Sequence, residues 1–427
     1  MSISLTKLVE DGEFKKTGAK PKLPIKIEEL NSSLLDVYQV PLKYLYYNDE
    51  NGRIASEMEK ERIDLEPVSD SINPEYNDQI AKLIRKDNSS KLNRTKKDIE
   101  KDGQKVFGYV LDDGRIIDGN RRFTALRELQ NESGKNGYFE AVILPFSYDK
   151  KVDRQRIKSL ELAIQMGVEE RQDYDPLDKA VDIYRTTADE NLFTLNDYAE
   201  KANMKKQEVK DNFNAVVLMR EFLEFIGVPQ DAYYLIKETG TYSVFYEMTK
   251  TLRTTFGKSE DSEVNKNETK LTFFVWVLSR IGQGAGGTMA YEGRDYKKNI
   301  IKKKENNEFN SEVEDIVEDI QDDLLEHKIT GAASLSKAIT DSKDSFEEFN
   351  DIYDEYLDNA KKDENIDSFI KDISKIARKL KDVKSQGGLR GTMRFEQLSD
   401  DQKEALRNQM REILITSEDL FEEYKNA

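Results

Sequence analysis

The run Gly114-Arg115-Ile116-Ile117-Asp118-Gly119-Asn120-Arg121-Arg122-Phe123-Thr124-Ala125-Leu126 combines the residue types that bind anions. A short apolar strand leads into a glycine, and a helix opens directly after it. The unpaired N–H groups of a helix start carry partial positive charge and favour negative ligands. Arg121 and Arg122 add two guanidinium forks that match phosphate oxygens, and Gly119 permits close backbone approach. Asp118 and Asn120 flank the turn. Phosphate binding is the chemistry this set serves. The competing reading is a pair of arginines that are solvated or paired with nearby acids.

A second run, Phe193-Thr194-Leu195-Asn196-Asp197-Tyr198-Ala199-Glu200-Lys201-Ala202-Asn203-Met204-Lys205-Lys206-Gln207-Glu208-Val209, has the spacing of a helix-turn-helix. Thr194 caps an apolar-periodic helix, Asn203 makes the turn, and Val209 points inward from a second helix. Lys205, Lys206, Gln207 and Lys210 would then begin a recognition helix facing base edges and phosphates. An ordinary helical hairpin is the alternative.

The elements that must position these runs are legible from periodicity. Residues 1–36 scatter Lys, Gly and Pro without a pattern and are expected to form a flexible arm. Residues 37–42 alternate as a strand, and Asn48-Asp49-Glu50-Asn51-Gly52-Arg53 is rich in turn formers. A short helix is expected over 95–102, capped by Thr95 with Asp98 completing a capping box. Strands follow over 106–111 and 115–117, joined by the turn Asp112-Asp113-Gly114, then a helix over 121–130 and a strand over 138–144. From Asp153 onward the 3.6-residue period dominates, at 160–166, 176–184, 195–202 and 206–226. Gly282 to Gly287 lacks the lysine and Ser/Thr of a P-loop and is expected to be a loop. Five segments result: an arm (1–36), an α+β domain (37–150), a helix-turn-helix domain (151–230), a helical extension (231–305) and an acidic helical region (306–427). Apolar positions recurring on highly charged helices point to a homo-oligomer assembled through the C-terminal third.

Composition narrows the chemistry. The 427 residues include no cysteine and a single histidine, so disulfides and thiolate metal sites are excluded, and histidine triads and His-rich zinc sites are not expected. That histidine, His327, lies in an acidic stretch and is expected on a solvated helix face. The most apolar stretch, 271–278, is too short to span a bilayer, and Met1-Ser2-Ile3-Ser4-Leu5 does not start a signal peptide, so a cytoplasmic protein without membrane contact is expected. The net charge of −17 argues against a broad sticky DNA surface, whereas residues 85–127 are locally basic and suit a small footprint.

Four pieces of the chain, in order, resemble the ParB family, whose nucleotide domain shares its fold with sulfiredoxin. Asp118-Gly119-Asn120-Arg121-Arg122-Phe123-Thr124-Ala125 is similar to the family's Gly-Glu-Arg-Arg-x-x-Ala motif, with Asn120 in place of its Glu. Residues 42–54 resemble its first strand and loop, with Asn48 and Arg53 in matching places. Residues 95–107 resemble its short helix ending in Gly-Gln, here Gly103 and Gln104. Arg171-Gln172-Asp173-Tyr174-Asp175-Pro176 resembles the stretch that follows the nucleotide domain, and the two-helix run after Thr194 resembles the family's DNA-binding helices.

The resemblance implies an α+β ParB/sulfiredoxin-like N-terminal domain followed by mostly α-helical domains. It implies CTP or another nucleoside triphosphate with Mg2+. Gly119, Arg121 and Arg122 would hold its phosphates, Gly103 and Gln104 would lie near base and sugar, and Arg171 would approach from the helical side. The family's metal-serving acid and amide are replaced by Gly167 and Val168. Glu169 and Glu170, or Glu161 with Gln165, are the substitutes, and slow hydrolysis is expected. The implied function is nucleotide-responsive binding of double-stranded DNA, in plasmid or phage partitioning with a ParA-like ATPase, or in transcription regulation. The alternative is a ParB-like nuclease or nucleotide-dependent enzyme, phage or defence related.

Overall fold

The computed structural model describes residues 4–25, 30, 34–48, 58, 60–61, 65–68, 71–167, 175–257, 259–284, 288–389 and 397–426. Its first elements are α1 (Leu5–Glu10), β1 (Lys15–Lys16), β2 (Val37–Pro41), β3 (Tyr46–Tyr47), α2 (Pro74–Asp87), α3 (Ser89–Asp102), β4 (Gly108–Leu111), β5 (Arg115–Asp118), α4 (Asn120–Ser133) and β6 (Tyr138–Leu144). The strands form one six-stranded sheet in the order β1-β2-β6-β4-β5-β3. The β3–β5 and β4–β6 pairs are parallel and the other pairs antiparallel.

Side chains alternate across a strand, and here both faces are buried. Val110, Ile116, Phe139 and Ala141 pack with Tyr76 and Ile80 of α2 and Phe123 of α4. Tyr109, Leu111, Ile117, Val142 and Leu144 pack with Ile157 and Leu160 of the next helix, α5 (Lys151–Gly167), on the other face. The chain continues as α6 (Pro176–Tyr184), a π-helical turn (Arg185–Asp189), α7 (Leu195–Lys201), α8 (Lys206–Phe225), α9 (Tyr233–Thr239), α10 (Tyr242–Thr255), α11 (Glu260–Gly282) and α12 (Met289–Tyr296). A second π-turn (Lys297–Ile301) precedes α13 (Asn306–Glu312), α14 (Glu314–Leu325), α15 (Ala332–Asp341), α16 (Lys343–Ser385) and α17 (Asp400–Asn426). The fold is mixed α/β, a small sheet followed by a mostly helical remainder.

Two expectations are corrected. Part of the 1–36 arm is ordered: β1 pairs with β2, and Leu5, Phe14 and Leu23 are buried. Three apolar side chains spaced too irregularly for a periodic signal anchor it on the sheet's two cores. The helix expected from Thr95 begins six residues earlier. Asn88 is the cap, its side chain accepting from Lys91 N, and the Thr95 hydroxyl instead donates to Lys91 O within the helix. Either residue type caps well, so local spacing alone does not choose between them.

The chain divides into two units, Met1–Asp354 and Glu355–Ala427. The breaks expected near 150 and 305 do not separate units. Helix α5 gives Ile157 and Leu160 to the sheet and Leu162 to the helices after it. Asn306 and Asn310 of α13 accept hydrogen bonds from Thr269 and Thr272 of α11 at 3.0 and 3.1 Å. The apolar run 271–278 lies inside α11, where every residue from Thr272 to Arg280 is buried. No helix among the described residues is long and apolar enough to cross a membrane.

Candidate functional site

The β5–α4 turn lies beside the carboxyl end of β3, because those two strands run parallel with Tyr47 paired to Ile116. Gly119 has φ 112°, and a Cβ there would sit 2.6 Å from the Phe139 ring. The glycine is therefore needed for turn geometry and for packing against β6. Arg122 donates from Nη1 to the carbonyls of Val106 and Phe107, both at 2.6 Å, and from Nη2 to Asp118 Oδ2 at 2.6 Å. Its guanidinium thus ties the segment leading into β4 to the end of β5. Gln104 is bound equally tightly: its amide donates to Val106 O and Glu140 O and accepts from Glu140 N at 2.9 Å. Gly103 is the left-handed cap of α3, with open space around it. Arg121 is half-buried on the first turn of α4, next to Asn120, whose side-chain Oδ1 is buried without a hydrogen-bond partner. Arg53, Glu169, Glu170 and Arg171 lie outside the described residues.

A small polar cleft lies just past the end of β3, lined by Asn48, Tyr148, Arg154, Lys158, Glu161, Asp182 and Arg185 among others. Buried Asn48 links the sheet to α5: Arg115 Nη1 donates to its Oδ1 at 3.2 Å, and its Nδ2 donates to Glu161 Oε1 at 3.4 Å. The Arg115 guanidinium lies 4.4 Å from the Tyr148 ring centre and 5.4 Å from that of Tyr46. Lys158 ion-pairs with Asp182 of α6 and lies 3.5 Å from Glu161. The Tyr198 hydroxyl of α7 donates to the other Asp182 oxygen at 2.7 Å. A continuous chain of polar contacts therefore runs from the sheet edge to the two-helix unit. Burial pushes the Tyr47 hydroxyl up to about 12, and it stays neutral beside Thr124 on α4. Sequence reasoning singled out Asn48 and Glu161 but missed Arg154, Lys158, Asp182 and Arg185. Their separation along the chain left no local signal.

The cleft's carboxylates do not fit a divalent cation in this arrangement, since Lys158 occupies the space between Glu161 and Asp182. Among the described residues, no group of three or more His, Cys, Asp or Glu could hold a metal ion.

The two-helix run has defined geometry. Asp197 N donates to Thr194 Oγ1 and Thr194 N donates to Asp197 Oδ2, both at 3.2 Å, closing a capping box at α7. The Thr194 hydroxyl and amide hold the Asp197 carboxyl below its usual range. Asn203 adopts φ 48°, the left-handed conformation that Asn tolerates better than most residues. Ala199, Ala202, Tyr198 and Val209 close a core with Leu162 of α5 and Ile183 of α6. Lys205, Lys206, Gln207 and Lys210 are all exposed at the start of α8. Lys206 lies 3.7 Å from Glu200, and Gln207 donates to Asp211 at 2.9 Å. Neither a family model nor a curated protein matches this chain.

Proposed function

We propose that the chain is a ParB/sulfiredoxin-like, nucleotide-responsive protein that binds double-stranded DNA through α8. The observation that carries the reading is the α7–α8 unit: a capping box, a left-handed Asn203 turn, and exposed Lys205, Lys206 and Lys210 at the start of the second helix. That arrangement lays cations and an amide where a recognition helix meets a groove. A nucleoside triphosphate, CTP among the candidates, would sit at the β5–α4 turn with its phosphates toward the start of α4 and Arg121. The bonds of Arg122 assign it to shaping that turn. Plasmid or phage partitioning with a ParA-like ATPase, or transcription control, are the settings that fit. Fluorescence anisotropy with a random-sequence duplex tests the DNA half. Replacing Lys205, Lys206 and Lys210 by Ala should lower the magnitude of the log K against log salt slope by about 3, near 0.9 per lost phosphate contact. An unchanged slope removes α8 from the interface. Calorimetry with CTP, ATP and GTP tests the nucleotide half.

A further inference from the structure

The second unit exposes apolar surface out of proportion to its size. Thirteen large apolar side chains are exposed in Glu355–Ala427, against eight among the described residues of the much longer Met1–Asp354. Helix α17 is 27 residues long and buries none of them. The exposed residues are not scattered. On α16, Ile366, Phe369, Ile370, Ile373, Ile376 and Leu380 are 40–57% exposed and follow heptad positions a, d, e, a, d, a. On α17, Met410, Ile413, Leu414, Leu420, Phe421 and Tyr424 follow a, d, e, d, e, a, and are 39–78% exposed. A stripe that includes position e is wider than the seam of a two-stranded coil and needs neighbours on two sides, as in a helical bundle.

We infer that these two helices form a four-helix bundle with the same two helices of a second copy of this chain. Two stripes per chain give four helices per dimer, so the count closes with two copies. Area agrees: about half the surface of the twelve stripe side chains is on the order of 1,000 Å² per chain, above the ~800 Å² per partner of a standard stable interface. Charge selects the partner. Lys371, Lys375, Arg378, Lys379, Lys381 and Lys384 face two acids in the same stretch of α16, whereas residues 418–425 of α17 hold four acids and one lysine. Folding α17 back antiparallel on its own α16 would set that acidic end beside 355–367, which has five acids and two lysines. Pairing in trans, with α17 of one copy parallel to α16 of the other, sets the acidic end against the basic stretch.

The test uses two full-length variants whose circular dichroism confirms folding. One carries Lys375→Glu, Arg378→Glu, Lys379→Glu and Lys381→Glu; the other carries Glu418→Lys, Asp419→Lys, Glu422→Lys and Glu423→Lys. Light scattering should give a dimer mass for the wild type, a monomer mass for each variant alone, and a dimer mass for their equimolar mixture. A third variant, Ile373→Asp/Ile376→Asp, should be monomeric. A monomeric wild type at tens of micromolar overturns the inference. So does a charge variant that stays dimeric alone, a mixture that fails to reassociate, or an Ile variant of unchanged mass. DNA binding by a monomeric variant would leave the α8 reading intact, so the two conclusions fail separately.

Discussion

Replacing Lys158 by Met should be among the most damaging single changes in the first unit. Lys158 sits where α5, α6 and α7 meet the sheet edge, ion-paired with Asp182 and 3.5 Å from Glu161. The side chains of Lys158, Glu161 and Asp182 are 14%, 17% and 9% exposed, so water cannot replace the ammonium group effectively. Methionine keeps most of the volume and removes the charge, leaving two carboxylates close together in a mostly dry site. Breaking a buried pair in this way costs about 3–5 kcal/mol, a large share of the ~5–15 kcal/mol that holds a domain together. The residual exposure of Glu161 and its bond from Asn48 place the expected loss near the lower end. Adding Asp182→Asn to the same chain removes the uncompensated charge while keeping an acceptor for the Tyr198 hydroxyl. That double variant should recover all but about 1–2 kcal/mol, because neutralising both members of a buried pair is far milder than removing one. Urea denaturation followed by circular dichroism measures both. A Lys158→Met loss below about 1 kcal/mol would show that solvent reaches the pair and that the polar chain is not a structural link. Failure of Asp182→Asn to rescue would mean the loss is one of packing.

Gly119→Ala should destabilise by roughly 2 kcal/mol or more, because φ is 112° and the added methyl would lie 2.6 Å from Phe139; a thermal shift assay reads it. Asn203→Val should cost about 1–2 kcal/mol by forcing a β-branched residue into the left-handed turn, whereas Asn203→Gly should be nearly neutral. His327 is bonded to Asp323 O at 2.8 Å and Asp341 at 3.1 Å, and these acceptors raise its pKa above 6.5. A raised folded-state value means the pair stabilises fully below pH 6.5 and loses that contribution as pH rises through the folded value. The single-histidine proton resonance should titrate above 6.5, and His327→Gln should remove the fall in stability as pH rises above 6.5.

Much of the sheet and of the two-helix unit was legible in the sequence because both depend on neighbours a few residues apart. Short apolar runs in 106–111, 115–117 and 138–144 read as strands, and the Asp112-Asp113-Gly114 turn joins β4 to β5. Thr194 with Asp197, and Asn203 nine residues after the cap, define the α7–α8 geometry through local hydrogen bonds and one permitted backbone conformation. What tertiary structure decided was which partners the polar groups take. Arg122 and Gln104 read as ligand-facing from their motif, yet their donors go to Val106, Phe107 and Glu140, brought together only when β4 settles beside β6. The cleft gathers residues from Asn48 to Leu192, on three helical segments and the loops between elements, and no spacing rule reaches that far. Burial decided the rest. The irregular apolar residues of the N-terminal arm carry no periodic signal yet find the sheet to cover them, whereas the regular stripe of α17 remains exposed within its own chain.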